Sequence, residues 1–176
     1  TESGIPDFRS PGGIWSRMQP IDFRDFMSSI EMRREAWRRK AVIDRDFQQA
    51  APNRGHRALA ALVSHGAMSA IITQNIDGLH QASGVPADKV IELHGNGTYA
   101  TCLDCGQRYE LAPIMVAFER DETVPECDAC GGIVKSATVS FGQAMPQAAM
   151  ARAQAESTAC DLFIVLGSSL VVYPAA

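Results

Sequence analysis

Gln74, Asn75, Asp77 and His80 crowd into one short run, TQNIDGLH, and a second histidine, His94, follows fourteen residues after His80. Amides and a carboxylate can grip a polar ligand by donating and accepting hydrogen bonds. An imidazole, with an unperturbed pKa of ~6.5, can take up or release a proton near neutral pH. A second group has a different chemistry. Cys102-x2-Cys105 and Cys127-x2-Cys130 form two short thiol pairs, each followed by glycine, with 21 residues between the pairs. Four thiolates suit a closed tetrahedral metal site, which is structural because no position is left for water or substrate. Zinc is the expected ion; two disulfides or an iron–sulfur cluster are the alternatives. The fifth cysteine, Cys160, is expected to be a small buried residue.

The elements around the polar run place it. Ala70-Ile71-Ile72 is a short apolar run that reads as a buried strand, and Val90-Ile91-Glu92-Leu93 reads as another. His56 to His65 is a helix with Ala58, Leu59, Leu62 and Val63 on one face, and Gly66 falls where a left-handed C-terminal cap belongs. Helix followed by apolar strand predicts an α/β parallel sheet. Ligands of such sheets bind beyond the carboxyl ends of the strands. Gln74 to Asp77 occupy one such end and His94 the other. The plain alternative for the first group is an Asx turn with a helix N-cap. For His94 it is a structural histidine.

The remaining segments read as supports. Gly4 to Gly13 is a loop punctuated by glycine and proline, with Asp7, Phe8 and Arg9 at its centre. It could close over an anion through Arg9, or be a surface loop with one tucked-in phenylalanine. Ile21 to Gln49 reads as helical and amphipathic, with Phe23, Phe26, Met27, Ile30, Trp37, Ala41 and Val42 at helical spacing. Its basic run, Arg33-Arg34 and Arg38-Arg39-Lys40, reads as a solvated helix face. Ala137 to Phe141 is expected as a strand ended by Gly142. Pro146 opens a helix from Gln147 to about Ser157. Leu162 to Leu166 is expected as a buried strand, with Gly167-Ser168-Ser169 at its carboxyl end for a backbone–phosphate contact.

Composition narrows the class. With 176 residues and 46% hydrophobic content the chain can bury a core. A net charge of -4 argues against a direct nucleic-acid partner. No apolar run approaches the ~20 residues that span a bilayer, so no membrane partner is expected. Paired cysteines fit a reducing compartment, hence a cytoplasmic protein. The chain lacks an initiating methionine and reads as a fragment missing both ends. The composition does not reach the oligomeric state.

Taken together, GIPDFRS (4–10), TQNIDGLH (73–80), ELHGN (92–96), the two CxxC pairs, SFGQAMP (140–146) and GSSLVVYPA (167–175) resemble the sirtuin family of NAD-dependent protein lysine deacylases. The resemblance implies an α/β fold: a Rossmann-like, doubly wound parallel sheet carrying a small zinc-ribbon insert and a helical module. On this chain the NAD-binding domain would comprise residues 1–19, 52–96 and 136–176. The helical module would be 20–51 and the zinc-binding domain 97–135. Asp7, Phe8, Arg9, Gln74, Asn75, Ile76, Asp77, Gly167, Ser168 and Ser169 would contact NAD. Val139, Phe141, Gly142 and Val172 would border the acyl-lysine of a protein or peptide substrate. Cys102, Cys105, Cys127 and Cys130 would hold zinc.

The implied reaction moves an acyl group from lysine to ADP-ribose with release of nicotinamide. His94 would be the general base and Asn75 would orient ribose or water. His80 then falls to a structural role. Ser140 stands where the family usually has an aromatic residue, and Gln143 where it usually has an acid. The family's first-strand phosphate loop and last strands do not appear, and these residues alone are expected to be unstable or inactive. Two other readings compete: a mono-ADP-ribosyltransferase using the same site, and a non-catalytic zinc-ribbon binding module.

Overall fold

The computed structural model describes residues 2–6 and 13–176, without the side chains of Trp15, Arg17 and Asp46. In chain order the elements are α1 (Ile14–Arg17), α2 (Phe23–Ser28), α3 (Ile30–Phe47), α4 (Arg54–Ser64), β1 (Ile71–Thr73), α5 (Leu79–Ala82), β2 (Val90–Glu92), β3 (Gly95–Cys102), β4 (Arg108–Glu110), α6 (Leu111–Asp121), β5 (Val134–Thr138) and α7 (Gln147–Ala159), with a 3-10 turn at Ala87–Lys89. Contacts divide the chain into two compact units, Thr1–Ala51 with Gly97–Gln143, and Pro52–Asn96 with Ala144–Ala176.

In the first unit the stretch expected as one long helix is two. Ser29 adopts an extended conformation, ends α2, and caps α3 by accepting from the Met32 N–H at 3.3 Å. A serine hydroxyl satisfies an orphan amide there better than continued helix would. The break rotates the apolar stripe. Phe26, Trp37 and Ala41 are buried, whereas Met27, Ile30 and Val42 are exposed. Trp37 packs with Ala100, Cys102, Phe118, Cys127 and Val134, so α3 shares a core with the cysteine segment. The three-stranded sheet runs β4-β3-β5, with β3 and β4 antiparallel and Tyr99 opposite Glu110. The basic run of α3 is ion-paired and half-buried rather than a freely solvated face: Arg34 meets Glu31, Arg39 meets Glu35 at 2.6 Å, Arg38 grips Glu122 through two nitrogens, and Lys40, its side chain 11% exposed, pairs with Asp44. The Arg38 guanidinium holds the Glu122 carboxyl below its ordinary pKa. Both groups are well exposed, so this pair fixes orientation more than it stabilises. β5 begins three residues before the expected Ala137 and stops at Thr138.

In the second unit β1 and β2 pair in parallel, Ile71 beside Val90 and Thr73 beside Glu92. Val63, Ile71, Val85 and Val90 form one apolar cluster, and Ile91, Leu93 and Ala153 another. α4 is closed at both ends. Asn53 and His56 exchange side-chain and backbone hydrogen bonds as a capping box. At the other end Gly66, at φ +71°, lets its N–H reach the Val63 carbonyl and the Ala67 N–H reach the Leu62 carbonyl, both at 3.0 Å. Leu162 to Leu166 is not the expected buried strand. It takes no strand conformation, and all five side chains are exposed. Apolarity makes a strand only where a neighbouring strand completes the ladder, and among the described residues none pairs with this run. Cys160 is half-buried rather than buried, its Sγ 3.4 Å from the Ser157 carbonyl. No helix among the described residues is long and apolar enough to cross a membrane.

Candidate functional site

Each unit carries one constellation. In the second unit the register of β1 and β2 brings their carboxyl ends side by side, and the Leu93 N–H donates to the Thr73 carbonyl at 2.9 Å. Gln74 and His94 are therefore neighbours despite being 20 residues apart. The His94 Nδ1 lies 2.8 Å from the Gln74 backbone carbonyl. A carbonyl oxygen only accepts, so Nδ1 carries a hydrogen, and in the neutral ring the lone pair is on Nε2. The half-buried imidazole is thereby held in the tautomer a general base needs.

The polar residues beside it divide their tasks. Asp77 accepts from the Leu79 N–H at 2.9 Å, which starts α5 after Gly78 in the left-handed region. The Asx-turn alternative is thus real for Asp77, and its second carboxylate oxygen is left for a ligand. The Asn75 N–H donates to the Thr73 hydroxyl at 3.1 Å while its side chain is exposed. Gln74 and Ile76 are half-buried, and the Gln74 amide donates to the Ala175 carbonyl at 3.3 Å. An exposed amide, a carboxylate oxygen and an imidazole lone pair at the ends of parallel strands fit a ligand rich in hydroxyl and carboxamide groups, such as the nicotinamide riboside portion of NAD.

The segment 167–176 joins this end through Ala175. Gly167, Ser168 and Ser169 are exposed, and the Ser168 hydroxyl accepts from the Leu170 N–H at 3.2 Å. Val172 is half-buried. Asp7, Phe8 and Arg9 lie outside the described residues. His80 stands apart from proton chemistry: its ring lies 5.0 Å from that of His56, and burial followed by the His56 charge pushes its pKa down.

Sequence reasoning missed a hydrogen-bonded trio whose members Glu92 and Asn96 flank His94 in the chain. Glu92 accepts from Gln81 and from the buried Asn96, both at 2.7 Å. Only the folded chain, which brings Gln81 of α5 to the end of β2, reveals that these three meet.

In the first unit the Sγ atoms of Cys102, Cys105, Cys127 and Cys130 all lie within 4.8 Å of one another. Cys102 and Cys130 are 3.5 Å apart, and Cys105 and Cys127 3.6 Å. Four sulfurs ~2.3 Å from a tetrahedral zinc would stand about 3.8 Å apart, so the donor set fits that ion. The two halves repeat one turn. The Cys102 N–H donates to the Gln107 carbonyl and the Gly106 N–H to the Cys102 carbonyl; the Cys127 N–H donates to Gly132 and the Gly131 N–H to Cys127. Gly106 and Gly131 lie at φ +76° and +72°, where a side chain would be strained.

The sulfurs also interact electrically. The Tyr109 hydroxyl, 3.1 Å from the Cys127 sulfur, pulls that thiol down to about 6. At Cys130 the Gly132 N–H lowers the pKa and the neighbouring sulfurs raise it, leaving the thiol up at about 12. Such crowding of thiols is what a dication relieves. Nothing in the spacing of Tyr109 signals this contact. In the same unit Val139 is half-buried, and Phe141 and Gly142 are exposed.

Comparison with known proteins identifies the family. The model of the Sir2 family matches residues 1–174. The chain is 58% identical, over its whole length, to an NAD-dependent protein deacetylase of Rhodopseudomonas palustris and to NAD-dependent protein deacetylase 1 of Bradyrhizobium diazoefficiens. It spans 70% and 69% of those proteins. Among solved structures it resembles a Sir2 variant with a deacetylated p53 peptide and 3′-O-acetyl ADP ribose, at TM-score 0.84 and 41% identity. That likeness covers 98% of this chain and 69% of the other. It also resembles Sir2 with a p53 peptide and NAD+, at TM-score 0.81 and 40% identity, covering 98% and 68%. These likenesses carry the Rossmann-like α/β fold with its cysteine segment, and the chain belongs to the Sir2 family.

Proposed function

We propose that the protein is an NAD-dependent protein lysine deacylase acting on acetyl-lysine peptides. One observation carries the reading: His94 is held by its Nδ1 hydrogen bond to the Gln74 carbonyl at the shared end of two parallel strands, with Nε2 left as a base. Bound NAD supplies the ADP-ribose that accepts the acyl group as nicotinamide leaves. His94 takes a proton from a ribose hydroxyl. Asn75 orients ribose or water, and Gln74, Ile76 and Asp77 hold the nicotinamide end. Asp7, Phe8, Arg9, Gly167, Ser168 and Ser169 hold the remainder of the cofactor. Val139, Phe141, Gly142 and Val172 border the acyl-lysine chain. The four cysteines hold zinc, which keeps its segment folded and takes no part in the chemistry.

The domain reading accompanies this proposal: residues 1–19, 52–96 and 136–176 for the cofactor, 20–51 as helical module, and 97–135 for the metal. Four unpaired thiols at metal-binding distance support a reducing, cytoplasmic setting. The test is product analysis by mass spectrometry after incubation of the protein with acetyl-lysine peptide and NAD. Equal amounts of deacetylated peptide, nicotinamide and O-acetyl-ADP-ribose are expected. ADP-ribosylated protein in their place would establish the transferase reading and overturn this one.

A further inference from the structure

The loop after β5 carries Val139, Phe141 and Gly142, and it is tied down at several points within its own unit. The Phe23 N–H, at the start of α2, donates to the Phe141 carbonyl at 2.8 Å. Gly142 lies at φ +77°, and a Cβ there would stand 2.8 Å from an Asp22 carboxylate oxygen. The Ser140 N–H donates to the Gln143 side-chain oxygen, and the Gln143 N–H to the Ser140 carbonyl, each at 3.0 Å.

Beneath the root of this loop lies Lys135, only 5% exposed. Its Nζ donates to the carbonyls of Ser136, at 3.4 Å, and Thr138, and sits 5.9 Å from the centre of the Phe26 ring. No carboxylate pairs with it among the described residues. A buried ammonium without a counter-ion is costly, so core packing alone does not account for it; a methionine would pack as well. What the ammonium does supply is a double tether at the point where β5 stops. It holds two backbone oxygens among the last three residues of β5, and the chain leaves the sheet from that point.

We propose that Lys135 is a positioning residue for the acyl-lysine substrate: its ammonium pins the Ser136 and Thr138 carbonyls and thereby sets where Val139, Phe141 and Gly142 stand. This rests on the deacylase reading for the identity of the substrate. Lys135 touches no reacting atom and acts through the loop.

The experiment uses the whole protein. Lys135→Met keeps the apolar stem and removes the charge, Lys135→Arg keeps the charge, and Lys135→Gln retains some hydrogen bonding. In Lys135→Met, hydrogen exchange of the Val139–Gln143 amides is expected to speed up about tenfold, and KM for an acetyl-lysine peptide to rise about tenfold, with KM for NAD unchanged. Lys135→Arg should restore both, and Lys135→Gln should fall between. Unchanged exchange and peptide KM in the methionine variant would overturn the proposal. So would unfolding of both the methionine and glutamine variants, which would make the role purely structural. If the unaltered protein shows no NAD-dependent turnover, the deacylase reading fails on its own, and amide exchange still decides whether Lys135 holds the loop.

Discussion

At the cysteine tetrad four like donors converge on one another, each half held by the same pair of backbone hydrogen bonds. At the ends of β1 and β2 unlike groups stand side by side, an exposed amide, a carboxylate and an imidazole, and part of their bonding capacity is left open. The tetrad completes itself once a metal is present, and half of it is also core: Cys102 and Cys127 pack against Trp37, Phe118 and Val134, while Cys105 and Cys130 are exposed. The strand ends are complete only with a ligand, and Glu92, at the end of β2, is tied to Gln81 and Asn96. The difference teaches where damage should appear. Loss of a group from the closed site should be read as lost fold, and loss from the open site as lost chemistry.

The largest expected effect breaks the closed site. Structural zinc is worth ~10–16 kcal/mol of folding free energy in small metal domains. Cys127→Ser, or treatment with a strong chelator, should therefore unfold the first unit. Circular dichroism and zinc content, which should be one ion per chain before treatment, measure this; a folded protein without metal would erase the contrast.

Next comes His94→Ala. A general base contributes roughly 100- to 10,000-fold, and kcat should fall by that factor while Tm stays put. A matching fall in Tm would make His94 structural and remove the contrast from the other side.

The third prediction concerns a charge within the closed site's unit. Burial pushes Lys135 down to about 8 from its ordinary 10.5. Between those values the unfolded chain binds more protons than the folded one, so stability rises with pH across that window and is level below it. The rise amounts to about 3 kcal/mol, and Lys135→Met should abolish it in denaturant melts at pH 7 and pH 10.

The smallest effect is a control. Asn53→Ala removes the cap of α4 in the unit that holds His94 and should cost about 1 kcal/mol of stability, leaving kcat unchanged.

How much of this could be read from residues alone depended on the range of the interactions. The tetrad was legible because two CxxC turns are local and each needs its glycine in place. The ends of β1 and β2 were legible because apolar runs flank the polar residues and parallel sheets bind ligands at that end. The break at Ser29 is also local, yet the apolar periodicity ran straight through it; the hydroxyl cap outweighed continuity. Leu162 to Leu166 read as a strand because its composition is that of one, but a ladder needs a partner that composition does not contain. Lys135 and Tyr109 were invisible for a related reason. Their partners are backbone carbonyls in one case, and a sulfur and the Asp128 carboxylate in the other, brought near only by the folded chain. Asp7, Phe8 and Arg9 lie outside the described residues, so that loop rests on the family resemblance.

The hydrogen bond from His94 goes to a main-chain oxygen, and this separates two things that usually change together. The Gln74 side chain reaches toward Ala175, while its backbone carbonyl selects which ring nitrogen stays bare. Every amino acid supplies that carbonyl. Position 74 can therefore be rewritten to alter what the pocket grips without disturbing the proton inventory of the base, which makes it a handle for retuning ligand preference independently of acid–base behaviour.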